Sequence, residues 1–85
     1  MTLRLSYFSW VRERMGVAEE EVAPPAETAT IADLIRWLAG RDERGGRTFA
    51  DPGRIRVAID GVMATPGTKL AGAGEVALFP PVTGG

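Results

Sequence analysis

Cysteine and histidine are both absent from the 85 residues of this chain. Without cysteine, a disulfide framework, a thiolate metal site and a thiol nucleophile are all excluded. Without histidine, the commonest general base and the commonest metal ligand are missing, and a Ser-His-Asp triad cannot be built. We therefore expect no metal site and no self-contained catalytic centre.

An excess of one charge and a long apolar run are also missing. Ten Lys and Arg residues against eleven Asp and Glu residues give a net charge of −1. This balance does not provide the excess positive charge that is typical of proteins that bind nucleic acid or an anionic membrane. No apolar run approaches the ~20 residues that span a bilayer, and residues 1–4 do not begin a signal peptide. With 45% hydrophobic and 25% charged residues, the chain is expected to form one soluble, cytoplasmic domain.

Alternating polar and apolar residues predict the strands. Residues 2–8 alternate clearly, residues 19–23 form a weaker and acidic strand that pairs with the first, and residues 55–60 and 75–79 alternate again. Asp60-Gly61 is a tight-turn signal, after which Val62 and Met63 continue as a brief strand. The acidic residues of the second strand are typical of a solvated sheet edge.

Two segments have helical patterns. Ser9 is expected to cap a short helix over residues 10–15, which Gly16 ends. Thr30 begins the clearest helix through an approximate capping box, and this helix ends near Gly40. Its apolar residues recur at helical spacing: Ile31, Leu34, Ile35 and Leu38.

The segment 41–54 combines four arginines with three acidic residues and Gly45-Gly46. We predict a solvated loop that Phe49 anchors to the core. The resulting element order is strand, short helix, strand, long helix, strand, short strand, strand. This order predicts an α+β fold of the ubiquitin-like β-grasp type, with a mixed sheet covered on one face by one main helix.

The residues that follow the last predicted strand differ from the rest of the chain. Pro80 and Pro81 cannot extend a strand and favour a polyproline conformation, in which residues 80–85 would reach roughly 19 Å. Gly84 and Gly85 lack side chains and can pass through a channel too narrow for other residues. The unhindered Gly85 carboxylate suits activation by ATP followed by displacement of AMP. We therefore expect a domain over residues 1–79 and a flexible tail over residues 80–85, with a merely frayed terminus as the alternative.

Strand alternation also predicts a docking surface. Phe8 lies on the opposite face of its strand from Leu3 and Leu5, and Phe79 lies on the opposite face from Leu78. If the first and last strands are neighbours, as in a β-grasp, both aromatic rings lie on the face that the main helix leaves open. Met63 could join them there. Apolar side chains at the root of a tail are typical of a partner interface.

Residues 75–85 strongly resemble the C-terminus of the small, sulfur-carrying subunits of molybdopterin synthase. Within this segment, the motif Phe-Pro-Pro-Val-Thr-Gly-Gly is the part that is specific to these subunits. Residues 7–13 resemble the first strand and short helix of that family, and residues 30–34 resemble the start of its long helix. The resemblance covers essentially the whole chain.

This resemblance implies a function in molybdenum cofactor biosynthesis. Gly85 would be adenylated by a ubiquitin-activating-like enzyme that uses ATP and Mg²⁺, and a sulfur-donating enzyme would supply the sulfur of a thiocarboxylate. The tail would enter the large subunit of the synthase, in a heterotetramer of two small and two large chains, and donate sulfur to the cyclic pyranopterin precursor. The tail residues are Pro80, Pro81, Val82, Thr83, Gly84 and Gly85, and the matching interface residues are Phe8, Met63 and Phe79. The chain itself would bind no cofactor and would act as a cosubstrate, with catalytic residues on the large subunit.

Other functions fit some of the same residues. One is sulfur carriage for another pathway, such as thiamine, cysteine or tRNA thiolation, although the spacer 80–83 and the chain length argue against the thiamine carrier. From a different class, the alternatives are an interaction module, or a protein modifier that is joined to lysines through Gly85. A stand-alone enzyme is the weakest alternative because the sequence offers no catalytic constellation.

Overall fold

A five-stranded mixed sheet forms the base of the fold in a computed structural model that describes residues 2–81. Its strands are β1 (Leu3–Tyr7), β2 (Glu19–Val22), β3 (Arg56–Ile59), β4 (Val62–Ala64) and β5 (Glu75–Phe79). Their order across the sheet is β2-β1-β5-β3-β4, with β5 parallel to β1 and antiparallel to β3. The last strand in sequence therefore lies at the centre of the sheet. The predicted pairing of the acidic strand with β1 is confirmed.

Three helices accompany the sheet: α1 (Ser9–Met15), α2 (Ile31–Arg41) and α3 (Glu43–Thr48). The capping box predicted for α2 is confirmed, since the Thr30 hydroxyl accepts from the Asp33 N–H at 3.2 Å and the Asp33 carboxylate accepts from the Thr30 N–H at 3.1 Å. The apolar stripe predicted from the sequence is buried in the core. None of the helices within residues 2–81 has the length and apolar character of a membrane span.

The core lies between one face of the sheet and the helices. The central strand contributes Val76 and Leu78, both completely buried, and α2 contributes Leu34 and Leu38. Leu70 lies in the loop before β5 and is also fully buried. Alternate residues of β5 are thus fixed in apolar surroundings, which sets the register of the strand that leads into the tail.

A charged hydrogen-bond group joins the edge strand β2 to α2. The Tyr7 hydroxyl donates to Glu20 at 2.6 Å, and the Arg41 guanidinium donates to both oxygens of the same carboxylate, at 3.1 and 2.8 Å. The hydrogen bonds from Arg41 lower the pKa of Glu20, and burial raises the pKa of Tyr7 above its usual value. These contacts anchor β2 at the edge of the sheet, where Glu19 and Glu21 are exposed.

The start of α1 differs from the sequence prediction. Ser9 does not cap the helix but is its first residue, and Phe8 occupies the capping position without a side-chain hydrogen bond. The Phe8 N–H donates to the Leu78 carbonyl at 3.2 Å, which keeps Phe8 extended beside β5. The helix thus begins at Ser9, one residue earlier than predicted, and Ser9 adopts a left-handed φ of 54°. Gly16 ends α1 at φ 80°, as predicted.

The prediction that residues 41–54 form a loop is wrong. This segment contains α3 and a 3-10 turn over Pro52–Arg54. The Asp42 carboxylate caps α3 by accepting the Gly45 N–H at 2.7 Å. Phe49 is buried and anchors the segment, as expected.

The two adjacent glycines of α3 have different roles, and this difference can be tested. A Cβ on Gly45 would overlap the Leu38 carbonyl oxygen of α2, whereas a Cβ on Gly46 would make ordinary contact at 3.4 Å with the Ala39 carbonyl oxygen. Gly45→Ala is expected to lower the free energy of unfolding by about 1–3 kcal/mol because it pushes the two helices apart. Gly46→Ala is expected to raise it by about 0.5–1 kcal/mol because alanine favours a helix. Urea denaturation of both variants measures the difference, and equal effects would show that α3 does not pack closely on α2.

Candidate functional site

The strand β5 leads directly into the tail and is held on both sides. It pairs with β1 from Arg4↔Glu75 to Tyr7↔Leu78, and with β3 from Ile59↔Val76 to Arg56↔Phe79. Because β5 has a strand on each side and a buried apolar face, it forms a rigid base for the residues that follow it.

A turn between β3 and β4 fixes the start of β5. The Asp60 carboxylate accepts the N–H of Glu75 at 2.9 Å and the N–H of Gly74 at 3.2 Å. These hydrogen bonds lower the pKa of Asp60, with the larger effect from Glu75. The Asp60-Gly61 turn signal in the sequence thus has a second role, because the same aspartate positions the beginning of the central strand.

The end of β5 is set by two prolines. Proline has no N–H, so Pro80 and Pro81 cannot donate to a sheet ladder, and the strand ends at Phe79. Both prolines are half-buried beside the sheet. The predicted reactive end, Val82, Thr83, Gly84 and Gly85, lies outside the described residues.

The predicted docking residues lie on the open face of the sheet. Phe8 is 51% exposed and Met63 is 61% exposed, whereas Phe79 is half-buried. The β1–β5 pairing ends at Tyr7↔Leu78, and the Phe8 N–H donates to the Leu78 carbonyl, so Phe8 and Phe79 are the residues that follow this last pair. We call Phe8, Phe79 and Met63 the open-face patch.

Small side chains form the floor of this patch. The pairings Ser6↔Ala77, Ala77↔Ala58 and Ala58↔Met63 place these residues on one face of four adjacent strands. Met63 is therefore two strands from β5, or about 10 Å at the usual strand spacing. Phe8 and Phe79 thus follow paired residues at the tail root, whereas Met63 lies on the edge strand β4, and small side chains lie between these positions.

A second group of side chains lies at the tail root and was not predicted from the sequence. The Arg14 guanidinium lies 4.5 Å from the centroid of the Trp10 ring, and the Arg54 guanidinium lies 5.4 Å from the same centroid. We call these three residues the Arg-Trp-Arg cluster. The spacing of Trp10 and Arg14 by one helical turn was a local signal for the first contact. No sequence signal connects Trp10 with Arg54, since they meet only through the tertiary structure.

A cavity beside α2 offers no comparable chemistry. It has a volume of about 630 Å³ and lies between α2, β3 and β4, with walls formed mainly by apolar side chains such as Ile31, Ile35 and Phe49. Within residues 2–81, acidic residues do not gather in a group of three that could hold a metal ion. The tail root thus remains the site that combines exposed aromatic rings, charge and a centrally held strand.

Comparison with known proteins identifies the family. The family model described as the ThiS family matches residues 5–85. The chain is also 32% identical to the molybdopterin synthase sulfur carrier subunit of Escherichia coli (strain K12) over 83 residues, which is 98% of this chain and 99% of the relative. The chain belongs to the ThiS family. The resemblance inferred from residues 75–85 is therefore confirmed.

Solved structures agree with this membership. SAMP1 from Haloferax volcanii covers 100% of both chains with a TM-score of 0.74 and 31% identity. A second structure, of H. volcanii small archaeal modifier protein 1, covers 95% of this chain and 98% of its own with a TM-score of 0.69 and 25% identity. The predicted ubiquitin-like β-grasp is thus confirmed for this member of the ThiS family.

Proposed function

We propose that this chain is a sulfur carrier for molybdenum cofactor biosynthesis, in which the Gly85 carboxylate becomes a thiocarboxylate. The observation that carries the proposal is the central strand β5, which ends at Phe79 and continues into Pro-Pro-Val-Thr-Gly-Gly. The full-length similarity to a molybdopterin synthase sulfur carrier subunit supports the same pathway.

The proposed chemistry takes place on the last carboxyl group. A Gly85 carboxylate oxygen attacks the α-phosphorus of ATP, pyrophosphate leaves, and an acyl-adenylate forms. A hydrosulfide ion supplied by a sulfur-donating enzyme then attacks the acyl carbon, AMP leaves with the bonding electron pair, and the sulfur loses its proton to solvent. The resulting thiocarboxylate is itself a soft nucleophile, so the chain needs no histidine or cysteine to act as a donor.

Besides the sulfur-donating enzyme, two partner proteins would supply what this chain lacks. A ubiquitin-activating-like enzyme would bind ATP and Mg²⁺ and adenylate Gly85. The large subunit of molybdopterin synthase would bind the cyclic pyranopterin precursor and supply the acids and bases for sulfur transfer. In that cytoplasmic heterotetramer the tail, Pro80 to Gly85, would extend into the large subunit, while Phe8, Met63 and Phe79 would form the apolar contact at its entrance.

A second candidate function is protein modification through Gly85. The similarity to a small archaeal modifier protein supports this candidate, because the match covers nearly the whole of both chains. The activated carboxyl group would then be attacked by a lysine amine of a target protein, and the product would be an isopeptide bond.

Intact-mass analysis distinguishes these functions. The full chain is co-expressed with its adenylating enzyme and a sulfur-donating enzyme, and the purified protein is weighed. A sulfur carrier is expected to show one oxygen replaced by sulfur, and the product is expected to convert the pterin precursor when the large subunit is added. Isopeptide-linked adducts without the sulfur-containing species would contradict the sulfur-carrier proposal and favour a modifier. A thiocarboxylate that the large subunit cannot use would point to another sulfur pathway.

A further inference from the structure

The Arg-Trp-Arg cluster lies where the chain leaves the sheet. Trp10 follows β1, and Arg54 precedes β3, while β5 runs between these two strands. The contact between Trp10 and Arg54 therefore spans the end of β5 on the side of the helices, where Trp10 packs against the core. On the open face, Arg56 pairs with Phe79 and has an exposed side chain.

These arginines are not neutralised by the described part of the protein. The ion pairs within residues 2–81 use Arg4, Arg36 and Arg41. Within the same residues, no carboxylate lies within 4.0 Å of the guanidinium of Arg14 or Arg54. The opposite end of β5 instead begins at Glu75, beside Asp60. Within residues 2–81, Arg14 and Arg54 therefore lack a carboxylate in ion-pair contact, although the net charge of the chain is −1.

Stacking on an indole ring prepares a guanidinium to bind a carboxylate. The face of the guanidinium lies against the aromatic ring, and its N–H donors remain available along the edge. Those donors match the two oxygens of a carboxylate in a bidentate pair. Arg14 and Arg54, with Arg56 as their neighbour, form a local positively charged site. A nucleic acid would instead need an extended basic stripe.

We propose that the Arg-Trp-Arg cluster binds aspartate or glutamate side chains at the mouth of the large-subunit channel that takes up the tail. This inference rests on the proposed function, because that function supplies the partner. The Gly85 carboxylate is roughly 19 Å from the tail root when the tail is extended, which exceeds the screening length of about 8 Å in physiological salt. The cluster therefore acts on docking and orientation, and the chemistry at Gly85 is separate from it.

A charge reversal tests the inference. The double variant Arg14→Glu/Arg54→Glu and the unaltered chain are titrated by calorimetry with the purified large subunit from the same organism. In 0.1 M NaCl the double variant is expected to bind at least ~30-fold more weakly, because like charges then face each other. In 1 M NaCl, where the screening length falls to about 3 Å, the difference is expected to shrink below about threefold. Both arginines are exposed, so the melting temperatures are expected to stay close.

Lys69→Glu is the matched control. Lys69 is exposed and pairs through its backbone with Thr30, before α2, and its substitution causes the same charge change per residue. Its dissociation constant is expected to remain within about twofold of that of the unaltered chain, as for an isolated surface charge. If Lys69→Glu weakened binding as much as the double arginine variant, binding would depend on the net charge of the chain and not on the Arg-Trp-Arg cluster. This result would overturn the inference.

The remaining outcomes separate the inference from the proposed function. Normal binding by the double arginine variant would overturn the inference alone, since the unaltered chain still binds the large subunit. A loss of binding that persists in 1 M NaCl would also overturn it, because the effect would not be electrostatic. Failure of the unaltered chain to bind any large subunit would overturn the proposed function and this inference together.

Discussion

Deletion of Gly85 is expected to abolish thiocarboxylate formation and sulfur transfer while leaving the fold intact. The deletion withdraws the terminal carboxyl group by one residue, or roughly 3.5 Å along an extended chain. Reacting groups must meet within a few tenths of an ångström of the productive geometry, and a shift of about 1 Å can cost a factor of about 10² in rate. The loss is therefore expected to be complete in an assay of pterin conversion and in intact-mass analysis.

Stability provides the control for this deletion. The buried core extends from Leu3 to Leu78, so removal of Gly85 is expected to shift the melting temperature by less than about 2 °C. Leu78→Ala is the matched structural variant, because Leu78 is completely buried in the same strand that leads to the tail. This substitution is expected to lower the free energy of unfolding by about 2–5 kcal/mol. If deletion of Gly85 destabilised the domain as much as Leu78→Ala, the tail would be a structural element rather than a reactive one.

The double variant Phe8→Ala/Phe79→Ala is expected to weaken binding to the large subunit by roughly 10²–10³-fold. Aromatic residues at the centre of an interface contribute about 2 kcal/mol or more each, and 1.4 kcal/mol corresponds to a factor of about ten in Kd. Phe8 and Phe79 directly follow the paired residues Tyr7 and Leu78, so the effects of the two substitutions need not add. Calorimetric titration of the purified large subunit measures the change.

Val62→Ala is the matched control for the open-face patch. Val62 is an apolar residue with 69% exposure, but it pairs with Ile59 and lies on the opposite face of β4 from Met63. Its truncation is expected to leave the dissociation constant unchanged within about twofold, as for most residues outside an interface core. Unchanged binding by the double phenylalanine variant, or equal weakening by Val62→Ala, would show that the open-face patch is not the docking surface.

The prediction of a loop over residues 41–54 failed at Gly45-Gly46, which lie within the helix α3. Gly45-Gly46 lies among charged side chains, and its low intrinsic helix propensity favours a loop. In the structure, Gly45 is buried against the backbone of α2, where a larger residue would not fit. The need for a close helix contact therefore outweighed local propensity, and a single sequence gives no direct sign of such a contact.

Local patterns were sufficient for the strands, the long helix and the two phenylalanines at the tail root. Alternation fixes the face of each strand residue, and the capping box at Thr30 and Asp33 fixes the start of α2. These features depend on neighbours within a few residues, which is why they can be inferred from the chain alone.

Long-range contacts required the folded chain. Arg54 meets Trp10 only because β5 is inserted between β1 and β3, which brings residues from the two flanking segments across its end. The Asp60 carboxylate likewise reaches the start of β5 through the strand order and not through sequence proximity. The amino-acid sequence by itself therefore determines the chemical groups of the tail. The charged side chains around the root of the tail come together only through the strand topology, because folding is what brings residues that are distant in sequence into contact.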